Sequence, residues 1–229
     1  MPRFAANLSL LFTELPFLDR FAAAADAGFQ GVEYLFPYDW PASSLAEKLQ
    51  QHHLTQVLFN LPPGDWQAGE RGIACLPDRV EEFREGVFQA LEYAEVLDCP
   101  RMNCLAGIRP ESLPADVAFQ TLVENLRFAA DLLAAKGMTL TVEAINSKVD
   151  MPGFFVDTSL AAMTVIEAAG RENIRVQFDA MNRVPAKFIL IGCLPTLMRL
   201  IIRAGSVRSI VRNRTPKPVL AGSDHGLTD

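Results

Sequence analysis

Two short segments of this sequence end in carboxylates, with one helical stretch between them: Thr139-Leu-Thr-Val-Glu143, followed by Ala-Ile-Asn146, and Ile174-Arg-Val-Gln-Phe-Asp179. Each begins as a β-branched and apolar run, the composition of a strand. Parallel strands joined through a crossover helix usually lie side by side, so Glu143 and Asp179 are expected at one carboxyl edge of a sheet. Two acidic oxygens brought together there can hold a divalent cation, and one of them can carry a proton. Taken alone, Glu143 reads as a metal ligand, a proton-transfer base or a structural carboxylate paired with a basic neighbour. Asp179 favours the first two readings, because like charges side by side repel unless a cation or a proton intervenes.

The elements that must position this pair recur along the first 180 residues. Strand-like runs fall at 4–8, 31–35, 56–61, 101–105, 139–143 and 174–179, and amphipathic helical runs at 16–27, 41–52, 78–97, 115–136 and 159–169. In the third helical run Phe83, Val87, Leu91 and Ala94 share one face, the spacing of a helix packed on a core. Pro41 and Pro114 suit helix starts, and Gly28, Gly137 and Gly170 suit helix stops. Such alternation predicts a parallel sheet with helices outside it. A doubly wound sheet would show a glycine-rich loop after its first strand, where this chain reads Leu8-Ser-Leu-Leu-Phe-Thr-Glu-Leu-Pro16. The expected fold is therefore a TIM-type (β/α)8 barrel. Residues 1–180 supply about six regular βα units, and 181–229 form an atypical tail that is short of strands seven and eight.

In such barrels the working residues sit at the carboxyl ends of strands and in the loops beyond them. Polar residues at those places are Asn7, Ser9, Glu33, Asn60, Asn103, Glu143, Asn146 and Asp179. Asn146 is read either as a contact to a substrate hydroxyl or as a turn former. Glu33 either reaches the barrel mouth or pairs with a core arginine. The turn-rich loop from Asn60 to Gly72 is a candidate cover for the mouth, with Arg71 available to a substrate carboxylate.

Half of the 229 residues are apolar and 21% are charged, an ordinary globular composition. No apolar run approaches the ~18 residues of a membrane span, and the first residues do not read as a secretory signal. Cys75, Cys99, Cys104 and Cys193 form no CxxC pair and are expected as buried thiols of a cytoplasmic protein. Three histidines, two of them adjacent at a helix end, are not read as a metal site. The net charge of −6 conceals an imbalance: residues 1–180 carry 13 Lys and Arg against 25 Asp and Glu, and 181–229 carry 8 against 2. Arg199 with Arg203, and Arg208 with Arg212, fall at helical spacing, but without interleaved aromatics no nucleic-acid partner is expected.

Over residues 1–180 the sequence resembles the hydroxypyruvate isomerase family of the xylose isomerase-like barrels. The resemblance lies in 4–9, in Gly31-Val-Glu-Tyr-Leu-Phe-Pro-Tyr38, in the whole loop from Asn60 to Cys75, and in 122–127, 142–146 and 176–179. It implies interconversion of hydroxypyruvate and 2-hydroxy-3-oxopropanoate, with 2-oxo-tetronate isomerisation or a related sugar isomerisation or epimerisation as alternatives. It implies a catalytic role for Glu143 and a divalent cation, Mg²⁺ or Mn²⁺, on Glu143 and Asp179. Asn7, Asn60, Arg71 and Asn146 are the expected substrate contacts, the partner is a small hydroxy-oxo acid, and a homo-oligomer is allowed. After Asp179 the resemblance stops. The aromatic residue and histidine that the family places shortly afterwards are missing, no glutamate follows Glu172, and the basic tail reads as frameshifted or truncated. A non-catalytic remnant is the reading that would follow from such a tail.

Overall fold

The computed structural model describes residues 4–178. Six strands form one sheet: β1 (Ala5–Asn7), β2 (Gly31–Glu33), β3 (Thr55–Asn60), β4 (Arg101–Cys104), β5 (Thr139–Glu143) and β6 (Ile174–Gln177). They are hydrogen-bonded in chain order and every pairing is parallel. Between them run α1 (Arg20–Asp26), α2 (Ala42–Gln51), α3 (Val80–Val96), α4 (Ala115–Ala134) and α5 (Ser159–Ala169). Each successive strand is reached through a helix, which is the barrel arrangement that the alternation predicts. The expected basic tail, and with it Asp179 and Cys193, lies outside the described residues.

Local chemistry explains where the helices begin and end. Pro41 and Pro114 occupy the positions just before α2 and α4. Their rings fix an extended entry, and they lack the N–H that an earlier turn would have to bond. Thr158 caps α5 by accepting from the Ala161 N–H at 3.1 Å, and Gly170 closes that helix at a φ of 62°. On α3 the residues Phe83, Val87, Leu91 and Ala94 are all buried, as their spacing predicts. Among the described residues no helix is long and apolar enough to cross a membrane.

Four strands match their expected bounds within one residue, inside the ordinary uncertainty of strand ends. The second was expected to run to residue 35 and stops at Glu33. Its register against β3 shifts between Val32 and Glu33, so the backbone leaves the ladder there. Leu35 still bonds, donating to Ser9 Oγ at 2.9 Å and accepting from the Asn60 N–H at 2.9 Å. The sixth strand was expected to end at Asp179, and its pairing with β5 ends at Gln177.

Ala6, Val32, Phe59, Met102, Leu140 and Val142 belong to the apolar core that the helices complete. The alternate positions Asn7, Glu33, Asn60, Asn103, Thr141, Glu143 and Gln177 are polar and also buried. Side chains alternate faces along a strand, so one face of the sheet is apolar and the other carries amides, a hydroxyl and two carboxylates. Barrel interiors are commonly filled by Val, Ile and Leu. This one is lined with hydrogen-bonding groups.

Candidate active site

Glu143 ends β5 with only 4% of its surface exposed. Its Oε2 accepts from Asn103 Nδ2 at 3.3 Å and from Gln177 Nε2 at 3.2 Å. Register explains the meeting. Gln177 of β6 lies opposite Glu143, and Asn103 of β4 lies opposite Thr141, one same-face position below Glu143. In the next pairing Asn60 lies opposite Asn103, and Asn103 Nδ2 also donates to Asn60 Oδ1 at 3.2 Å. Thr141 Oγ lies 3.0 Å from Gln177 Oε1 and 3.2 Å from Asn103 Oδ1. A carboxylate withdrawn from water needs such donors, because an unsolvated charge without them is strongly disfavoured.

A second pair stands on the first two strands. Asn7 Nδ2 donates to Glu33 Oε1 at 2.8 Å, and Asn7 Oδ1 accepts from the Ser9 N–H at 3.0 Å. Asn7 and Glu33 are register partners, and Glu33 is 4% exposed. Of the residues expected at the site, the structure thus joins Asn60 and Glu143 through Asn103, and joins Asn7 to Glu33. Thr141 and Gln177 are not among the residues that the sequence singles out. Their signal was the period-two alternation in Thr139-Leu-Thr-Val-Glu143, which puts Thr141 on the face of Glu143, and the same alternation along β6.

Arg71 and Asn146 stand in the loops. Arg71 is stacked over Trp66, 4.1 Å from the ring centre, and its Nη1 donates to the carbonyls of Trp66 at 2.9 Å and Glu70 at 2.7 Å. Asn146 Oδ1 accepts from the Lys148 N–H at 2.9 Å, so its oxygen makes the turn that the sequence allowed for. The loop from Asn60 to Gly72 is braced by Glu70, whose carboxylate accepts from the Asp65 N–H and pairs with Arg79 at 2.6 Å. The hydrogen bond from Arg79 holds the Glu70 carboxyl below the usual carboxylate range. At the loop's end Gly72 has a φ of 107°, and a Cβ there would stand 2.3 Å from the Leu105 carbonyl oxygen. A Cβ on Gly107 would stand 2.5 Å from the Gly72 oxygen, and Gly107 O accepts from the Phe155 N–H at 2.9 Å. The loops after β3, β4 and β5 are therefore locked together backbone to backbone, and the first of them is an anchored wall.

Among the described residues no three His, Cys, Asp or Glu side chains gather as a metal site. Cys75, Cys99 and Cys104 are buried free thiols, and burial pushes those of Cys75 and Cys99 up to about 12. The Glu143 carboxylate is an oxygen ligand of the kind a hard cation such as Mg²⁺ or Mn²⁺ takes, while the two amides at its Oε2 present N–H rather than oxygen. Glu143 is the member of the expected ligand pair within the described residues.

Residues 21–188 match the model of the xylose isomerase-like TIM barrel. The chain belongs to that family. It is 49% identical over 179 residues to the 2-oxo-tetronate isomerase of Pectobacterium atrosepticum, covering 78% of this chain and 68% of that protein. Against the hydroxypyruvate isomerase of Escherichia coli it is 47% identical, over 78% of this chain and 69% of that one. A crystal structure described as AP endonuclease, family 2, from Brucella melitensis superposes with a TM-score of 0.77 at 49% identity, over 82% of this chain and 73% of that one. An isomerase role for this xylose isomerase-like chain is what the two named isomerases support, and Glu143 and Gln177 both fall inside the matched family region.

Proposed function

We propose that this chain interconverts hydroxypyruvate and 2-hydroxy-3-oxopropanoate by proton transfer through an enediolate, with Glu143 as the group that moves the proton. The observation that supports it is the buried Glu143 carboxylate, one oxygen of which is held by two amide donors at the end of β5. The reaction takes a proton from the hydroxymethyl carbon of the substrate, which leaves an enediolate across that carbon and the former carbonyl carbon. Delivery of a proton to the neighbouring carbon, with the hydroxyl proton passing between the two oxygens, completes the exchange. A carboxylate in hydrogen-bond reach does this without any redox partner. The amides of Asn103 and Gln177 hold Glu143 in place for it.

A divalent cation, Mg²⁺ or Mn²⁺, is proposed on Glu143 and Asp179, where it would supply positive charge beside the oxygens that exchange carbonyl character. Arg71 is assigned the substrate carboxylate. A guanidinium has five N–H donors, and its stacking on Trp66 fixes the plane in which the rest can form a paired contact. Asn60, Asn7 and Asn146 are assigned the substrate's hydroxyl and carbonyl oxygens, Asn146 through its amide nitrogen. The partner is thus a small hydroxy-oxo acid, and a cytoplasmic setting belongs to the same reading. The second reading, isomerisation of a 2-oxo-tetronate, is favoured by the 49% identity to a protein of that name. The two substrates differ by a hydroxymethyl group on the carbon that loses its proton, so a single base serves both.

The test is turnover of each acid by the purified chain in ²H₂O, with and without added Mg²⁺ or Mn²⁺. Isomerisation with deuterium entering at the carbon next to the carboxylate supports the proposal, and the larger kcat/KM chooses between the substrates. Absence of both product and deuterium with either acid overturns it. Replacing Arg71 by leucine is expected to raise KM roughly 10- to 100-fold, as the loss of a charged hydrogen bond does, while kcat changes far less. Arg71→Lys keeps the charge and loses the fork, so its KM should fall between the two. Steady-state kinetics on the three proteins checks both statements.

A further inference from the structure

We propose that Thr141 is a positioning residue whose hydroxyl aligns the amides of Asn103 and Gln177 so that both NH₂ groups face the same oxygen of Glu143. The proposal rests on the reading of Glu143 as the proton carrier. A side-chain amide fits its site almost equally well when turned through 180°, and only its partners decide which end points where. An ionised carboxylate accepts and never donates, so at Oε2 each amide must present nitrogen, as both do at 3.3 and 3.2 Å. The far ends of the two amides are oxygens, and both converge on Thr141 Oγ, at 3.0 Å from Gln177 and 3.2 Å from Asn103. That hydroxyl can donate to either oxygen, with the Met102 carbonyl at 3.3 Å as a third acceptor.

The result is a circuit: the single hydroxyl proton is shared between two amide oxygens, and two amide nitrogens meet one carboxylate oxygen. Its members stand on three neighbouring strands, fixed by the pairings Asn103 with Thr141 and Glu143 with Gln177. All four are buried, at 0%, 7%, 4% and 9% exposure for Asn103, Thr141, Glu143 and Gln177, so water competes little for these bonds. Without the hydroxyl, the two amide oxygens are left facing a methyl group. Their nitrogens still have Glu143 Oε2 as acceptor, and that of Asn103 also has Asn60 Oδ1, so the amides loosen rather than flip and their hold on Glu143 weakens. Thr141 itself is one same-face position below Glu143 and acts only through the amides.

Thr141→Val, Thr141→Ser and Gln177→Met in the full chain test this. The valine keeps the shape and drops the hydroxyl, and it should lower kcat about tenfold with KM within about twofold, since small misplacement of a catalytic group acts on the chemical step. Serine should restore kcat to near the parent value. Gln177→Met should lose as much as the valine variant, and the double variant no more than either alone, because members of one network are not additive. A valine variant with parental kcat, a serine variant as slow as valine, or additive losses overturns the proposal. An independent reading comes from the ¹H–¹⁵N side-chain amide signals of Asn103 and Gln177, which should exchange with solvent faster in Thr141→Val. Unchanged exchange overturns the alignment whatever the activity. If the parent turns over neither acid while exchange does quicken, the isomerase reading fails and the alignment stands.

Discussion

Replacing Glu143 by glutamine will lower kcat/KM for the preferred oxo acid by about 10²–10⁴-fold, the usual loss on removing a proton-transfer group. The substitution is chosen because it separates chemistry from structure. A glutamine oxygen can still accept from Asn103 and Gln177 where Oε2 does now, so the hydrogen bonds at 3.3 and 3.2 Å survive. What disappears is the negative charge and the ability to hold a proton during transfer. The melting temperature should consequently stay within a few degrees of the parent, because both amide donors keep their acceptor. Glu143→Asp keeps the charge and withdraws it by one methylene, and its rate should lie between the two. Solvent deuterium incorporation gives the sharper reading, since it counts proton abstraction even when product release is slow. A glutamine variant that still exchanges the substrate proton at close to the parental rate removes Glu143 from the chemistry. The proposed function then has no base among the residues expected to supply one.

The placement of Glu143 was readable from the sequence, and the reason is local. A β-branched run cut off by a carboxylate and a turn former specifies both the strand and where it stops, and β5 ends at that residue. Helix starts at Pro41 and Pro114 were legible in the same way, since a proline's geometry needs no neighbour to be decided. The circuit around the carboxylate was not legible. Asn103, Gln177 and the β5 pair Thr141 and Glu143 lie on three separate strands, and only the register that pairs Asn103 with Thr141 and Glu143 with Gln177 brings them together. Register depends on loop lengths and on the packing of the helices between, which no single stretch of sequence carries. The loop from Asn60 to Gly72 shows the same division. Its turn formers were visible, but its role as a wall comes from contacts with Leu105 and Arg79, residues well outside it. Asn7 and Glu33 each stand out singly in the sequence, and their pairing is again a matter of strands in register.

Gly72→Ala should destabilise the chain by about 3 kcal/mol or more, from strain at a positive φ together with collision against backbone. The Cβ would arrive 2.3 Å from the Leu105 oxygen and 2.7 Å from the Leu105 Cβ, and a backbone carbonyl that is part of the β4 loop cannot swing aside as a long side chain can. Leu105 is followed by Ala106, which accepts from the Cys75 N–H at 2.9 Å, so moving one strand of the contact breaks the other. Gly69 is the internal control. Its φ of 99° is nearly that of Gly72, but a Cβ there meets nothing within 4 Å, so Gly69→Ala carries the strain without the collision. For a chain of this size 1 kcal/mol moves the melting temperature by roughly 2–4 °C. Gly69→Ala should thus melt a few degrees early, and Gly72→Ala about 6–12 °C or more below the parent. Because Arg71 directly precedes Gly72, the second variant should also raise KM at temperatures where it remains folded, while Gly69→Ala leaves KM near its parental value. Equal melting shifts in the two alanine variants would mean that the close approach of the loops contributes nothing, and that the wall holding Arg71 is maintained by the Glu70 and Arg79 pairing alone.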